Sequence, residues 1–339
     1  MSSPFSHLTE VYDAMIDWRC RLANETPLYR WLLDRVAAGD PADLQPMPMR
    51  DAQPTTSHVQ PTPVADVRAA VVGRVQPPPA ADDHAAIVGR ARPPPAAETE
   101  SSSPDAESSA AEGASQQAQA GAAEGRFSRL RVLDAACGTG RHAQLFHRWG
   151  LEVEAADVSP EMIDFARRQC GEPPGLRWVV RGFEQPVQTA RPFDLAICVG
   201  NSLALAPDEQ TARQAVARML AALRPGGLLL VHLLNLWRLS DGSTLWQKCQ
   251  RSRLSCGEVL IVKGVRRCGD RGAVELLVIG LPQAELLHAE SAQLLGLTAE
   301  MLRSAAVRAG ASTIELYGGY DRQPYQPQQS TDLLMVAVK

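Results

Sequence analysis

The segment Val132-Leu133-Asp134-Ala135-Ala136-Cys137-Gly138-Thr139-Gly140-Arg141-His142-Ala143 constrains this chain more than any other part of it. An apolar run ends in an acid, a turn of small residues follows, and a helix begins. Such a strand–turn–helix unit brings backbone close to a ligand at the first crossover of an α/β sheet. Gly138-x-Gly140-x-x-Ala143 also satisfies the dinucleotide-binding pattern, which has little specificity alone. Asp134 narrows the choice. A dinucleotide lays its pyrophosphate over this turn, where a carboxylate would repel it. A ligand that is cationic at this end is tolerated or favoured. The alternative role for Asp134 is a turn or helix-capping residue.

The alternation continues downstream. Residues 130–134 read as a strand, 139–149 as a helix closed by Gly150, and 151–157 as a second strand. Ser159-Pro160 opens the next helix, with Ser as N-cap and Pro at the first position. Residues 176–180 and 193–199 read as the third and fourth strands. A helix through 211–223 ends at Pro225-Gly226-Gly227, and 228–233 is the fifth strand. Wholly apolar strands alternating with helices predict a parallel sheet covered on both faces. After Trp237 the pattern changes. Residues 258–267 and 273–281 read as an antiparallel hairpin around Gly269-Asp270-Arg271-Gly272, an insertion (about 245–285) where a substrate cover could sit. Residues 298–308 read as a helix capped by Thr298 and stopped by Gly310, with closing strands at 312–317 and 333–338.

The N-terminal part divides in two. Residues 7–38 place apolar side chains at helical spacing, with Tyr12, Met15, Ile16, Leu22, Leu28, Trp31, Leu32 and Leu33 as candidates for burial. Pro27 is expected to start a second helix. Residues 39–126 are rich in Pro, Ala, Ser, Gln and acids and nearly free of aromatics. A stretch beginning Ala69-Ala70-Val71-Val72-Gly73-Arg74 recurs as Ala85-Ala86-Ile87-Val88-Gly89-Arg90, each copy running into three prolines. Two copies are too few for a solenoid, and such a segment cannot bury enough apolar surface to offset its ordering entropy. The expectation is a disordered insertion with short polyproline stretches, and 69–96 is a candidate dock for a proline-binding partner. The domain reading is 1–38 a helical lid, 39–126 the insertion, and 127–339 the folded domain.

Composition bounds the function classes. With a formal net charge of −4, no basic excess argues for nucleic acid. Seven cysteines are scattered without a C-x-x-C pair, which suits a reducing compartment and gives no metal-ligand spacing. The first residues lack a basic segment followed by an apolar core. The longest apolar run, 227–237, falls short of the ~20 residues that span a bilayer. The expectation is a cytoplasmic protein with no membrane segment and no metal.

Asp157 ends the second strand, nineteen residues after Gly138. A carboxylate there faces a ribose and accepts hydrogen bonds from its hydroxyls. NAD, FAD and S-adenosylmethionine all carry that ribose, so Asp157 indicates an adenosyl group rather than one cofactor. Its alternative role, an N-cap, is already filled by Ser159.

Taken together, Asp134-x-Ala136-x-Gly138-x-Gly140, Asp157-Val158-Ser159-x-x-Met162 and Gly200-Asn201-Ser202 resemble the class I S-adenosylmethionine-dependent methyltransferases, over roughly 129–236. Leu133-Asp134-x-Ala136-Cys137-Gly138-Thr139-Gly140 with Ile197-Cys198-Val199-Gly200-Asn201-Ser202 is similar to the glycine and sarcosine N-methyltransferase branch. The fold implied is α/β: a doubly wound, Rossmann-like methyltransferase sheet, mostly parallel with the last strand antiparallel, carrying a β-hairpin insertion and an N-terminal helical lid. The resemblance implies S-adenosylmethionine as cofactor. Ala136, Gly138 and Gly140 would lie under its methionine part, with Asp134 beside them. Asp157 and Val158 would hold the ribose end, Met162 would pack near the adenine, and Gly182-Phe183 would flank it. Val199 would offer backbone near the amino group. Arg21 in Arg21-Leu22-x-x-Glu25 resembles the arginine that pairs with the cofactor carboxylate, and Asn201 would point into the acceptor pocket.

The departures concern the acceptor. Leu205 stands where glycine N-methyltransferases carry a pocket histidine, and Leu234, beside Asn235, where they carry an arginine for the glycine carboxylate. Without a cationic partner a carboxylate loses a strong charge-assisted contact, so glycine is disfavoured and the pocket reads as apolar. A hydroxyl acceptor would want a general base, for which His232 and His142 are candidates. Tyr317, Tyr320 and Tyr325 could line the pocket, and Cys137 reads as a small turn residue. The expected activity is methyl transfer to a small-molecule acceptor, an amine or a hydroxyl. The alternatives are a binding protein without catalysis and an RNA methyltransferase, the latter lacking an evident basic surface.

Overall fold

The computed structural model describes residues 8–39, 127 and 129–339. The expected disordered insertion and its candidate proline-binding dock at 69–96 lie outside the described residues.

Strand β1 (Arg131–Ala135) is buried along almost its whole length. It pairs in parallel with β2 (Glu152–Asp157) on one side and β4 (Phe193–Cys198) on the other. β3 (Leu176–Val180) continues the sheet beyond β2, and β5 (Leu223–Leu234) beyond β4. The last strand, β11 (Asp332–Val338), runs antiparallel to β5, and β10 (Thr313–Tyr317) closes the edge. The order is β10-β11-β5-β4-β1-β2-β3. Its reversal lies between β1 and β4, the switch point where open α/β sheets bind ligands outside the strand ends.

The helices are α1 (Thr9–Met15), α2 (Trp18–Ala38), α3 (Arg141–Arg148), α4 (Pro160–Cys170), α5 (Glu209–Ala222) and α6 (Ala299–Arg308). Four of them begin on side-chain caps, α2 on Asp17, which accepts from Cys20 N. Ser159 accepts from Met162 N, Asp208 from Thr211 N and Thr298 from Met301 N, each bond contributing about 1 kcal/mol. Ser159 and Thr298 are the caps the sequence predicts.

Pro27 does not start a helix; it lies inside α2, which begins at Trp18 on the Asp17 cap. The proline forfeits one backbone bond, a cost of about 3 kcal/mol. The burial of Leu28, Tyr29, Leu32, Leu33 and Val36 just beyond it offsets that loss. Arg35 forks onto Glu315 at 2.7 and 3.0 Å and ties α2 to β10.

The expected hairpin is the centre of a larger element. β7 (Gly257–Cys268) and β8 (Arg271–Gly280) pair as predicted, turning at Gly269-Asp270, but β6 (Thr244–Leu254) and β9 (Glu285–Leu295) flank them in a four-stranded antiparallel sheet. The edge strands escape apolar patterning because β6 is largely polar and both face solvent along much of their length. No helix among the described residues is long and apolar enough to cross a membrane.

Candidate active site at the strand ends

Two cavities meet at Ala136, where β1 gives way to the glycine turn. The smaller is lined by Val158, Gly182 and Phe183, with Ala215 and Met219 of α5. The larger, of about 270 Å³, holds Gly138, Asp157, Met162, Gly200, Asn201, His232 and Leu234 from the strand ends. The N-terminal helices add Tyr12, Met15, Arg21 and Glu25, and the insertion sheet adds Gln247, Lys263, Val265, Val274, Leu276 and Leu294. Three separate parts of the chain therefore enclose one chamber.

The turn itself is held by Asp157. Its Oδ2 accepts from Gly138 N at 2.9 Å and its Oδ1 from Ser159 N at 3.0 Å. Burial pushes its carboxyl up, and these amides pull it back. Each oxygen keeps a second acceptor direction. Asp134, the last residue but one of β1, lines neither cavity; it is 1 % exposed, and neither carboxylate oxygen has a hydrogen-bond partner among the described residues. Burial raises its pKa to about 6, with Asp157 adding to the rise and His142 opposing it.

The two glycines of the motif differ. Gly138 has φ +54° and faces the larger cavity, where an added Cβ would meet only the Tyr12 ring at 3.5 Å. Gly140, at φ +79°, lines neither cavity; a Cβ there would lie 2.5 Å from the Trp178 ring. Its place in the motif is explained by packing against β3, so the structure does not bring it to the cavity as expected. Val199 likewise sits behind the lining, its carbonyl accepting from the Ser202 hydroxyl at 2.9 Å.

Arg21 reaches the chamber from α2. Its guanidinium would lie 3.2 Å from a Cβ on Gly200, and its Nε donates to Glu25 at 2.8 Å. Glu25 also accepts from Tyr29 Oη at 2.8 Å and faces His142 Nε2 at 2.6 Å. Burial alone would raise the Glu25 carboxyl, but the contacts to His142 and Arg21 win and hold it well below the usual range. His142 is thereby fixed in a buried polar cluster outside the chamber lining.

Asn201 lines the chamber with φ +68°, and its Oδ1 accepts from Leu234 N at 3.0 Å. Its NH₂ group is left to face a ligand. His232 has both ring nitrogens engaged: Nδ1 accepts from Gly200 N at 3.1 Å and Nε2 meets Asp332 at 3.2 Å. The three tyrosines stay out of the chamber. Tyr317 and Tyr325 donate to Glu315 and Asn235, and Tyr320 stacks on His232 at 5.2 Å. Asn235 is itself tied to the carbonyls of Pro327 and Ser330. Cys137 is buried and burial raises its thiol, consistent with a turn residue.

Sequence reasoning missed Tyr12, Glu25, Gln247 and Lys263. Tyr12 carried a helical-spacing signal that describes burial, not a site, and Glu25 appeared only as a neighbour of Arg21 in the motif Arg21-Leu22-x-x-Glu25. Gln247 and Lys263 carried none, because they belong to strands whose register the sequence leaves open.

Residues 132–227 match the family described as "Methyltransferase domain". The chain is 33% identical over 114 residues to the glycine N-methyltransferase of Rattus norvegicus, covering 30% of this chain and 39% of the relative. It is 30% identical over 139 residues to the glycine/sarcosine N-methyltransferase of Parasynechococcus marenigrum, covering 38% and 45%. The match to these curated relatives thus spans less than half of their length. Among solved structures, the CcbJ methyltransferase of Streptomyces caelestis superposes with a TM-score of 0.53 at 18% identity, over 66% of this chain and 88% of the other. The sugar N-methyltransferase KedS8 of Streptoalloteichus gives 0.51 at 22%, over 72% and 98%. Both show a shared fold. Residues 132–227 therefore match a methyltransferase domain, set in a sheet of reversed strand order with an antiparallel last strand and a glycine turn between Asp134 and Asp157, and the two solved methyltransferases share the fold.

Proposed function

We propose that the protein transfers a methyl group from S-adenosylmethionine to a small-molecule acceptor, an amine or a hydroxyl. The observation that carries this reading is the pair Asp134 and Asp157 around Gly138. Asp157 faces the chamber beside Gly138 and Asp134 lies buried behind the lining without a protein donor, two carboxylates where a pyrophosphate would need donors. The residues fit the cofactor. Asp134, buried without a protein donor, suits an ammonium; Arg21, at the edge of the chamber by Gly200, suits the carboxylate. Asp157 would take the ribose hydroxyls on its remaining lone pairs. Ala136 and Gly138 would lie under the methionine part. Val158, Met162, Gly182 and Phe183 would enclose the adenine, the smaller cavity supplying most of that wall.

When bound, S-adenosylmethionine would supply an electrophilic methyl carbon to the acceptor's lone pair, with the S–C electron pair left on sulfur and the acceptor's proton released to solvent. The chain's own residues contribute alignment, which supplies about 7–11 kcal/mol of such barriers. Asn201 would hold the acceptor through its NH₂ group. His232 would position Gly200 and Asp332 rather than take a proton, since its Nδ1 lone pair is occupied. An amine needs no base on the protein, so the amine reading is the stronger. Helices α1 and α2 would act as the lid, and the seven free cysteines support a reducing, cytoplasmic setting.

Calorimetry with S-adenosylmethionine, S-adenosylhomocysteine and NADH tests the reading. Binding of the first two and not the third is expected. NADH binding without S-adenosylmethionine binding overturns it.

A further inference from the structure

The insertion sheet turns an almost wholly apolar face to the chamber. Register pairs Val265 with Val274 and Lys263 with Leu276, so these four side chains share a face, and Leu294 extends it from β9. Two polar side chains interrupt it. Gln247 is the extra residue of a bulge in β6, between the pairs Trp246–Gly264 and Lys248–Lys263. Bulges of this kind re-aim a side chain beside a site, and Gln247 reaches the chamber from its exposed rim. Lys263, opposite the bulge, makes no hydrogen bond or ion pair with the described residues. The charges that act on it, Arg21 of α2 and Lys248 of β6, are both positive.

An ammonium in a half-enclosed apolar chamber with only cations acting on it is an incomplete arrangement. Burial first, then Arg21 and Lys248, lower its pKa to about 8, which still leaves it mostly protonated at pH 7. The carboxylates that line the chamber have other partners. Glu25 is taken by Arg21, Asp157 by the turn amides and Asp332 by His232. An anion brought by a ligand would relieve the repulsion and complete the site.

We propose that Lys263, assisted by Gln247, anchors a carboxylate on the acceptor, and that the acceptor is an acid with a bulky apolar skeleton seated on Val265, Val274, Leu276 and Leu294. This rests on the methyl-donor reading above. It answers the loss of a cation at Leu234: the positive charge enters from the insertion sheet instead of from β5. Leu205 and Leu234 add apolar wall on the strand side. Glycine, with no skeleton to seat, would leave this surface bare.

The test uses the full chain saturated with S-adenosylhomocysteine, and two probes that differ in charge but hardly in shape, 3-phenylpropionate and 3-phenylpropionamide. Calorimetry is expected to show the acid binding at least about tenfold tighter than the amide at pH 7. That preference disappears in Lys263→Gln, persists in Lys263→Arg, and leaves the affinity for S-adenosylhomocysteine unchanged in both. Acid binding weakens as pH rises through about 8, where the ammonium loses its proton. Equal binding of the two probes, binding of neither, or a preference that survives Lys263→Gln overturns the proposal. So does a loss of S-adenosylhomocysteine affinity in Lys263→Gln, which would place the ammonium on the cofactor carboxylate. Failure of the wild-type chain to bind S-adenosylhomocysteine at all is a different result, and it defeats the methyl-donor reading instead.

Discussion

The Gly200 N–H donates to Nδ1 of His232 at 3.1 Å, and this one bond fixes what the histidine can do. An acceptor nitrogen carries no proton, so the ring proton sits on Nε2, which donates to Asp332 at 3.2 Å. The same bond holds the backbone after β4, where Gly200 and Asn201 both take left-handed φ values of +77° and +68°. Removing a general base lowers turnover by about 10²–10⁴. Removing a positioning residue of this kind is expected to cost less. His232→Asn should lower kcat by no more than about tenfold in a labelled-methyl assay with an accepted substrate. A loss beyond about a hundredfold would restore the histidine as the base.

Asp134 sets stability against function. Its carboxyl is raised from 3.8 to about 6 by burial, so the folded chain holds the proton more tightly than the unfolded one. Ionised Asp134 therefore destabilises the ligand-free fold above pH 6. The penalty fades as pH falls from about 6 toward 3.8, and at full extent it is on the order of 3 kcal/mol. Asp134→Asn should melt several degrees higher than the wild type at pH 8, with the gap closing toward pH 4. The same variant should bind S-adenosylmethionine more weakly. Thermal scans at the two pH values and one titration check both halves; a variant less stable at pH 8 contradicts the argument.

The motif glycines predict opposite phenotypes. Alanine at 140 drives a Cβ to 2.5 Å from the Trp178 ring at a backbone angle that disfavours side chains. Gly140→Ala is expected to lose about 2–4 kcal/mol of stability while its folded fraction binds S-adenosylhomocysteine normally. Alanine at 138 meets only the Tyr12 ring, at 3.5 Å, but lies in the chamber. Gly138→Ala should lose affinity more than stability. Urea unfolding beside calorimetry separates the two, and an exchange of the phenotypes would refute the assignment.

The contrast shows what the sequence makes legible. The pattern 130–234 announces its sheet because central parallel strands are buried on both faces and read as apolar runs, with Asp134 near the end of β1, Asp157 at the end of β2 and Asn201 in the loop after β4. Spacing could not say that Gly140 serves Trp178, since a packing glycine and a ligand glycine look identical in a motif. Nor could it find Lys263. Its position on the chamber face follows from a cross-strand register and a bulge at Gln247, and β6 is too polar to declare either. Arg21 was legible only through its resemblance. Its partner Glu25 became a hub because α2 runs straight through Pro27 and presents Glu25 to both Tyr29 and His142.

That hub gives the remaining prediction. Glu25 accepts from Arg21 and Tyr29 and meets His142, all within 2.8 Å, and is 2 % exposed. Glu25→Gln preserves the shape but leaves the Arg21 guanidinium enclosed without its counter-charge, and breaking a buried pair on one side costs about 3–5 kcal/mol. The carboxyl is depressed in the folded state, so its contribution is complete above the ordinary value of 4.5 and declines as pH falls below it. The Glu25 carboxyl itself should therefore add no slope to the stability gap between wild type and Glu25→Gln from pH 8 to pH 5. Below about pH 4.5 the gap should narrow by no more than about 1.4 kcal/mol per pH unit. Affinity for S-adenosylhomocysteine should fall as well, because Arg21 loses the partner that aims it at the chamber. Urea titrations across that pH range measure the gap; equal stability at pH 7, or a gap that widens in acid, would remove Glu25 from this role.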